Sequence, residues 1–586
     1  MRQWMVAAKK ADFYAIAEKF HVDPVVARII RNREVIGEKN IRIYLGGNLS
    51  DLSDPHQMKD MDRLVEILAQ KIRKQVHIRI IGDYDVDGVT SSHLFLTALR
   101  RVGAKVDVVI PHRIQDGYGL SLHLLQQAKE DGVDTILTCD NGIAAIDEIA
   151  WAKAQKMTVL VTDHHAVPFE EHEGRRTEKK SLADAVVNPH QQDCRYPYKE
   201  LCGAGVAWNV IRVLYENYDM DKREAEDLLD FVAMATVCDV MSLTGENRIL
   251  VKEGLKRIRH TKNIGLQALM QACNVQPENI SAYHFGYVLG PCVNATGRLD
   301  TARHALRLFE TGQETEAEEI ARDLVDLNQE RKELTLQGVE MAKKLCEEGG
   351  YENDPILVLF LPDVHESIAG LIAGRIREMY NRPVFVLTRG EEGVKGSGRS
   401  TENYSMYENM CGCAELFKKF GGHPMAAGLS LPEENVEKFR RKINENCPLT
   451  VEEVCPDIHI DMAMPVGYAS TELVHQFALL EPFGKDNPSP LFADRNLSIS
   501  RMWLIGKNRN VLRMSVLSEY GQPVPVIFFG DVETLFAYFT EKFGQEEVEN
   551  ALHGRKNRIL FSMVYTAKID FYQGNENLQL EMKYYR

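Results

Sequence analysis

The sequence lacks any apolar run long enough to cross a membrane. The stretch ILVLFL at residues 356–361 is short beside the about 20 apolar residues that a membrane helix needs. The opening residues, MRQWMVAAKKADFY, also lack the apolar core and the small-residue cleavage site of a secretory signal peptide. These absences predict a cytoplasmic protein without a membrane segment.

A cysteine framework is missing as well. Eleven cysteines are scattered along the chain without a C-x-x-C pair, and CGC at residues 411–413 is too tight for the usual zinc spacing. An odd number of cysteines without a framework is typical of reduced thiols in the cytoplasm.

Excess positive charge is also absent, because 70 Lys and Arg residues against 85 Asp and Glu give a net charge of −15. That balance excludes a uniformly basic nucleic-acid coat. It leaves open a local positive groove, or a site in which bound metal adds positive charge. The hydrophobic content of 44% and the length of 586 residues predict a globular protein of about three or four domains.

What the sequence does contain is a regular alternation between about residues 76 and 190. Five apolar segments alternate there with helical patterns: VHIRII, AKVDVVIP, VDTILTCD, TVLVTDHH and ADAVVNPH. We therefore predict an α/β fold built on a parallel sheet that is covered by helices. In such sheets, ligands bind beyond the carboxyl ends of the strands.

The rest of the chain changes character twice. Residues 203–345 have a mostly helical pattern, and residues 328–350 predict one long helix. Strands and helices alternate again from residue 354 to about 448, and short alternating strands from about residue 457 predict a small β-barrel. Residues 170–181 predict a charged surface loop.

The stretch IGDYDVDGVTSS places three aspartates, Asp83, Asp85 and Asp87, at alternate positions. Because their charges repel one another, we expect a cation among them. A calcium-binding EF-hand loop needs a preceding helix and a glutamate at its twelfth position, whereas here a buried strand precedes the stretch and Leu94 occupies that position. For this stretch alone, a solvated acidic turn remains the alternative.

Three further segments belong with this turn: CDNG at 139–142, TDHH at 162–165 and ATVCDVMSL at 235–243. Asp239, inside the apolar third segment, is costly to bury unless it is paired or bound to metal. Taken singly, Asp239 is equally well a helix-end carboxylate, and His165 a structural histidine. Jointly, carboxylates with imidazole favour Mn²⁺ or Mg²⁺ over zinc, and two such ions roughly 3.5–4 Å apart form the usual clamp for phosphodiester hydrolysis.

These four segments resemble the motifs of the DHH phosphoesterase superfamily. GGHPMAAG at residues 421–428 is similar to the signature of the associated DHHA1 domain. Five more segments together resemble the RecJ family of single-strand-specific exonucleases: PCVNATGRLDTA, LNQERK, HESIAGLIAGRI, GSGRS and LEPFGKDNPSPLF. PCVNATGR departs from the family pattern, because Cys292 and Val293 replace an Arg–Ile-like pair.

Beyond about residue 50, the resemblance implies four regions along the chain. They are a DHH catalytic domain (51–262), a helical linker (263–350), a DHHA1 domain (351–455) and a C-terminal OB-fold nucleic-acid-binding domain (456–586). We interpret residues 1–50, which the resemblance does not cover, as an N-terminal helical segment packing on the catalytic domain.

The resemblance also assigns roles within the acidic segments. It places five residues on two Mn²⁺ or Mg²⁺ ions: Asp85, Asp87, Asp140, His164 and Asp239. Asp140 would bridge the ions. Asp83 is counted with the metal site and, like Asp163, is expected to orient the ligands. His165 is implied as the catalytic histidine that contacts the scissile phosphate or its leaving group.

Residues outside the metal segments are predicted to bind substrate. Ser397 and Arg399 lie in a glycine-rich stretch that we expect to be a loop wrapped around a terminal phosphate, because the arginine fork binds two phosphate oxygens. His423, between a glycine and a proline, is expected to hydrogen-bond phosphate, although GGH alone favours a tight turn. By resemblance, Arg113, Arg298 and Gln329 line the same path, although each alone is more typical of a surface or helix-capping residue.

The activity implied by the resemblance is 5′→3′ hydrolysis of single-stranded DNA to 5′-mononucleotides, in DNA repair and recombination. The implied partners are a single-strand-binding protein and a RecQ-type helicase, and the expected state is a monomer. One alternative is a related phosphodiesterase for short oligonucleotides or cyclic dinucleotides, but those relatives usually lack the terminal barrel. A second alternative is a non-catalytic replication scaffold, but scaffolds lose metal ligands that this sequence keeps.

Overall fold

The computed structural model describes residues 3–113, 116, 119–172, 175–390, 393–506, 509–572 and 574–586. Two compact units make up the chain. The first contains Leu52–Met241 and Glu246–Pro456, and the second contains Gln3–Asp51, Ser242–Gly245 and Asp457–Arg586. Within the described ranges, no helix is long and apolar enough to cross a membrane.

The first unit begins with a five-stranded parallel sheet, as predicted. Its strands lie in the order Val106–Val109, Ile78–Ile81, Thr135–Cys139, Thr158–Thr162 and Ala185–Val187. The central strands are buried throughout, which explains their β-branched, nearly unbroken apolar sequences. The helices of this region are Met61–Arg73, Val86–Arg101, Leu122–Glu130, Ile146–Ala154, Gly203–Asn217, Lys222–Glu226, Leu229–Cys238 and Gly245–Ile258.

A helical segment follows the parallel sheet. It comprises Ile264–Ala272, Ala282–His284, the π-helix Phe285–Leu289, Gly290–Leu299, Ala302–Glu310 and Glu314–Glu348. The last helix has 35 residues, and it begins well before the predicted start at 328 because no glycine or proline interrupts the preceding residues. Gly338 lets this helix pack closely, since a Cβ there would lie 2.3 Å from Ile372 Cδ1.

The first unit ends in a mixed five-stranded sheet. Its order is Lys419–His423, Ala426–Leu431, Gly393–Arg399, Val384–Gly390 and Leu357–Phe360, and only the last pair is parallel. The helices here are Ala369–Tyr380, Met406–Cys411 and Val436–Glu445. The prediction of a GSGRS loop is wrong, because these residues form a strand. Its glycines are needed for packing: a Cβ at Gly396 would lie 2.4 Å from Leu387 Cδ2.

The second unit is rich in strands. Its sheet pairs Met462–Ala463, Phe492–Ile505, Val511–Leu517, Pro523–Phe528, Asn575–Tyr585 and Leu560–Tyr572 in that order, and Phe492–Ile505 also pairs with Leu560–Tyr572. Three helices accompany it: Thr471–Phe477, Val532–Phe543 and Gln545–Leu552.

The N-terminal segment belongs to this second unit, so the prediction that it packs on the parallel-sheet domain is wrong. Strand Trp4–Val6 pairs with Ile458–Ile460, and the helices Phe13–Phe20, Pro24–Asn32 and Glu38–Gly46 follow. The apolar face of these helices joins the core of the strand-rich sheet. Arg33 also forms a buried two-pronged ion pair with Asp461, at 2.7 and 3.1 Å.

One further prediction is corrected. The charged stretch 170–181 is not simply a loop, because strands Phe169–His172 and Arg175–Glu178 pair in antiparallel fashion.

Candidate metal centre

The acidic turn lies where strand Ile78–Ile81 ends and helix Val86–Arg101 begins. Asp85 caps that helix by accepting a hydrogen bond from the Gly88 N–H at 3.1 Å. Asp87 accepts the N–H groups of Gly203 and Ala204, at 2.6 and 2.7 Å, from the first turn of helix Gly203–Asn217. A carboxylate is stabilised there by the unpaired N–H groups and positive end of the helix.

The other three segments bring their side chains to the same place. His164 Nε2 lies 3.1 Å from Asp140 Oδ1, 3.7 Å from Asp87 Oδ2 and 3.6 Å from Asp239 Oδ2. Asp140 follows strand Thr135–Cys139 with a positive φ of 61°. Gly203 permits this approach, because a Cβ there would lie 2.6 Å from Asp140 Cβ.

Two adjoining clusters contain most of these side chains. In each cluster the potential ligand atoms lie within 4.8 Å of one another: Asp87, His164 and Asp239 in one, and Asp83, Asp85 and Asp140 in the other. A third group of the same size joins Asp140 and His164 to His165. Asp140 also contacts the first cluster through His164. Its position is therefore suited to the bridging role predicted for it.

The electrostatics show that the carboxylates of this arrangement oppose one another's ionisation. Burial, followed by the charge of Asp85, raises the pKa of Asp83 well above its usual value. Burial, followed by the charge of Asp87, does the same to the pKa of Asp140 and raises that of Asp85. Burial lowers the pKa of His164, so its imidazole is neutral. Several carboxylates and a neutral ring therefore share one buried pocket.

Two buried atoms test whether a cation fits. Among the residues described, Asp83 Oδ1 and His164 Nε2 have no hydrogen-bond partner, although three carboxylate oxygens surround His164. A nitrogen lone pair facing carboxylates is stabilised when a cation binds between them. Burial raises the pKa of the nearby Cys139 thiol to about 12, so no thiolate is available there. Oxygen and imidazole donors without thiolate suit Mn²⁺ or Mg²⁺.

Asp163 holds His165 in a fixed orientation. One carboxylate oxygen of Asp163 accepts His165 Nδ1 at 2.7 Å and the His164 N–H at 2.7 Å, and the other accepts the Ile143 N–H at 2.9 Å. Burial lowers the pKa of His165, but the hydrogen bond to Asp163 and the negative charges of Asp163, Asp239 and Asp87 together outweigh burial and raise this pKa to about 9. In the metal-free site, His165 is therefore a cation at neutral pH.

Most of the predicted substrate-binding residues gather around one cavity of about 260 Å³. Its lining includes Tyr84, Arg113, Glu366, Lys395 and Ser397. The Arg113 guanidinium lies 4.6 Å from the Tyr84 ring centroid.

Two more arginines lie next to this cavity. Arg298 Nη1 donates to the carbonyl of Ser367, a lining residue, at 2.6 Å, and Arg399 Nη1 donates to the carbonyl of Gly398 at 2.7 Å. Burial and then the charge of Arg113 lower the pKa of Arg298 to about 10, and burial also lowers that of Arg399. Such crowding of cations is relieved by a bound anion.

Two of the predicted substrate-binding residues, Gln329 and His423, are exposed and do not line this cavity. Gln329 is exposed on helix Glu314–Glu348 and donates to Glu333 at 2.8 Å. His423 is exposed at the end of strand Lys419–His423. Their substrate roles stay predictions.

The structure also adds residues that the sequence did not single out. Asn294 accepts the Val86 N–H at 3.2 Å and so supports the acidic turn, and a Cβ at Gly297 would lie 2.4 Å from the Tyr84 carbonyl oxygen. Both residues lie within PCVNATGR, which was a usable signal. Lys395 pairs with Glu366 at 2.9 Å, a contact between separate segments that gives no pattern in sequence.

Family models match three parts of the chain. They are the DHH family, N-terminal domain, at residues 77–236, the DHHA1 domain at residues 353–447 and the RecJ OB domain at residues 460–584. The predicted fold class is confirmed by these matches together with the structure.

Similar proteins are known at close to full length. The chain is 32% identical over 582 residues to the single-stranded-DNA-specific exonuclease RecJ of Haemophilus influenzae, covering 96% of each chain. It is 33% identical over 512 residues to the Bacillus subtilis protein of the same name, covering 87% of this chain but 63% of that relative's length. The crystal structure of RecJ in complex with Mn²⁺ from Thermus thermophilus superposes with a TM-score of 0.81 at 25% identity, covering 100% of this chain and 79% of that one.

Proposed function

The chain belongs to the RecJ family of single-stranded-DNA-specific exonucleases, and on that basis we propose that it hydrolyses single-stranded DNA from a 5′ end, releasing 5′-mononucleotides. The observation that carries the proposal is the buried cluster of carboxylates and neutral imidazole, in which burial and mutual repulsion raise the pKa of Asp83, Asp85 and Asp140. Such a cluster suits two divalent cations and a phosphodiester substrate.

We assign the ligands from their positions. Asp87, His164 and Asp239 would hold one cation, Asp83 and Asp85 the other, and Asp140 both. Two such ions activate water and stabilise charge on the attacking and leaving oxygens of a phosphodiester. The protein's contribution is to hold the ligands rigidly, chiefly through the helix N–H groups that fix Asp87.

His165 is assigned to the reacting phosphate. Asp163 fixes the ring through Nδ1, so contact with a phosphate oxygen would be made through Nε2. Asp163 also favours the imidazolium, which can donate a proton to the leaving oxygen. Bound divalent cations oppose that charge, so the pKa of His165 in the loaded enzyme lies below its metal-free value of about 9.

The proposed 5′ polarity rests on the cavity beside Tyr84. Arg113, Lys395 and Ser397 line it, and Arg298 and Arg399 lie next to it. A terminal phosphate dianion would be held there by charge-assisted hydrogen bonds. At about 260 Å³ the cavity has room for a phosphate group, and a strand end held there would not thread further.

A second cavity, of about 680 Å³, provides a path for the rest of the strand. Its lining combines cations with apolar side chains: Arg298, Arg331, Lys332, Arg375, Leu336, Leu371 and Met379. Cations that follow the phosphates and apolar surfaces that contact the bases are what single-strand binding requires. A local positive groove thus accompanies a net charge of −15.

The scaffold alternative is disfavoured, because the chain keeps every acidic and histidine residue of the cluster. The phosphodiesterase alternative is disfavoured by the match to the RecJ OB domain. As partners we propose a single-strand-binding protein and a RecQ-type helicase, acting in repair and recombination. We place the protein in the cytoplasm, where its cysteines would be reduced.

The test uses one oligonucleotide labelled at either end. With Mn²⁺, the 5′-labelled strand should release labelled mononucleotide at once, whereas the 3′-labelled strand should shorten progressively. Asp140→Ala should lower the rate by far more than tenfold, and the exposed control Asp147→Asn should not. Early release of the 3′ label would refute the polarity. A folded Asp140→Ala protein with more than about a tenth of the rate, a loss below ~1.4 kcal/mol, would refute the site.

A further inference from the structure

Two cysteines lie in contact behind the proposed substrate groove. Cys273 follows helix Ile264–Ala272 and is partly buried, whereas Cys292 is buried in the first turn of helix Gly290–Leu299. Their sulfur atoms are 3.8 Å apart. A disulfide needs about 2.05 Å, so the sulfurs would have to approach each other by roughly 1.8 Å.

The surroundings favour a thiolate at one member of the pair, Cys273. Cys292 donates to the Val288 carbonyl at 3.3 Å and accepts a hydrogen bond from Asn328 Nδ2 at 3.3 Å. The contact with Cys292 and the charge of Lys332 lower the pKa of Cys273, whereas the same contact and burial raise the pKa of Cys292. Cys273 is also the more exposed thiol. It therefore has the thiolate character and the access that make a cysteine nucleophilic.

The helix that carries Cys292 also supports the candidate site. From this helix, Asn294 accepts the Val86 N–H, Gly297 packs against the Tyr84 carbonyl, and Arg298 donates to Ser367. A shift of the helix by a fraction of the 1.8 Å approach would alter these contacts together. The geometry of the acidic turn and of the terminal-phosphate cavity would therefore both change.

We propose that Cys273 and Cys292 form a reversible disulfide, and that this bond slows DNA hydrolysis. The effect on hydrolysis rests on the function proposed above, whereas formation of the bond does not. The oxidant is a low-molecular-weight disulfide. The Cys273 thiolate attacks one of its sulfurs and releases a thiolate, giving a mixed disulfide at Cys273. Cys292, on losing its proton, then attacks the Cys273 sulfur and expels the second thiol. Two protein thiols are oxidised and one small disulfide is reduced to two thiols.

The disulfide can be detected without an activity assay. Both cysteines lie on one tryptic peptide, residues 263–298, which has no internal lysine or arginine. The full chain is incubated with oxidised or reduced glutathione, alkylated and digested with trypsin, and the peptide masses are measured by mass spectrometry. We expect the oxidised sample to lack both alkyl groups on this peptide, and a reductant to restore them. Two alkylated thiols after oxidation would overturn the proposal, as would protection reversed by a chelator instead of a reductant, which would indicate a bound metal.

Activity is measured on the same samples. Oxidation should lower Mn²⁺-dependent digestion about tenfold, equivalent to ~1.4 kcal/mol, and reduction should restore it. Cys273→Ser should resist this loss, and Cys411→Ser, which removes an exposed thiol elsewhere, should not. A cross-linked peptide with an unchanged rate would overturn the switch. A reduced protein without any exonuclease activity would instead overturn the proposed function, and the peptide masses would still decide whether the bond forms.

Discussion

Replacing Asp140 by Asn should make the metal-free protein more stable while removing its response to Mn²⁺. Asp140 Oδ1 lies 3.1 Å from the neutral His164 Nε2, and burial with Asp87 raises the pKa of the Asp140 carboxyl. An acid whose folded pKa is raised costs stability once pH exceeds its unfolded value, about 3.9. An asparagine of the same shape removes that cost and can donate its amide to His164, a hydrogen bond worth about 1 kcal/mol.

With Mn²⁺ bound, the wild type should instead be more stable than Asp140→Asn. A cation at about 100 times its dissociation constant stabilises the wild type by about 2.7 kcal/mol, and a variant without the bridging carboxylate should gain much less. Thermal unfolding in EDTA and in Mn²⁺, for wild type, Asp140→Asn and the exposed control Asp147→Asn, tests both halves. In EDTA the wild type should also lose stability as pH rises from about 4 to 7. A variant less stable in EDTA, yet equally stabilised by Mn²⁺, would refute the charge argument.

Three further outcomes are expected. Arg399→Ala should cost roughly 1.5–3 kcal/mol in binding a 5′-phosphorylated strand and less for a 5′-hydroxyl strand, because only the former offers the dianion; equal losses in the two digestion rates would mean general backbone contact. Blunt duplex DNA should be digested far more slowly than single strands, and equal rates in a gel assay would contradict a single-strand groove. Arg33→Ala should destabilise the second unit by about 3 kcal/mol in urea unfolding, because Asp461 stays buried without its cation and keeps only hydrogen bonds from Asn32 and the Leu491 N–H; an unchanged midpoint would show that the ion pair contributes nothing.

The parallel sheet and its acidic cluster were predictable because the relevant signals are local. Each strand is a short apolar run, and each functional segment follows such a run directly, so parallel topology alone brings the segments together. Asp239 was recognisable for a different reason, as the single carboxylate of the apolar segment ATVCDVMSL; it caps the C-terminal end of helix Leu229–Cys238.

The errors arose where distant contacts decide the structure. The N-terminal helices have a clear apolar face, but its partners lie more than 400 positions away, as the Arg33–Asp461 pair shows. The glycines of GSGRS indicated a loop. Gly396 and Gly398 instead lie in a strand, where neighbouring side chains fill the space that a Cβ would need. Lys395 lines the cavity and pairs with Glu366, and no local sequence pattern predicts that ion pair.

The discontinuous second unit has a consequence for how the protein is made. Residues 3–51 are synthesised before the rest of the described chain, and their core partners follow only after residue 456. During synthesis of the intervening domain, the apolar faces around Val26 and Ile30 therefore remain uncovered. A stop after residue 456 would leave those faces exposed permanently, so a compact nuclease fragment must be trimmed at both ends, beginning near Leu52.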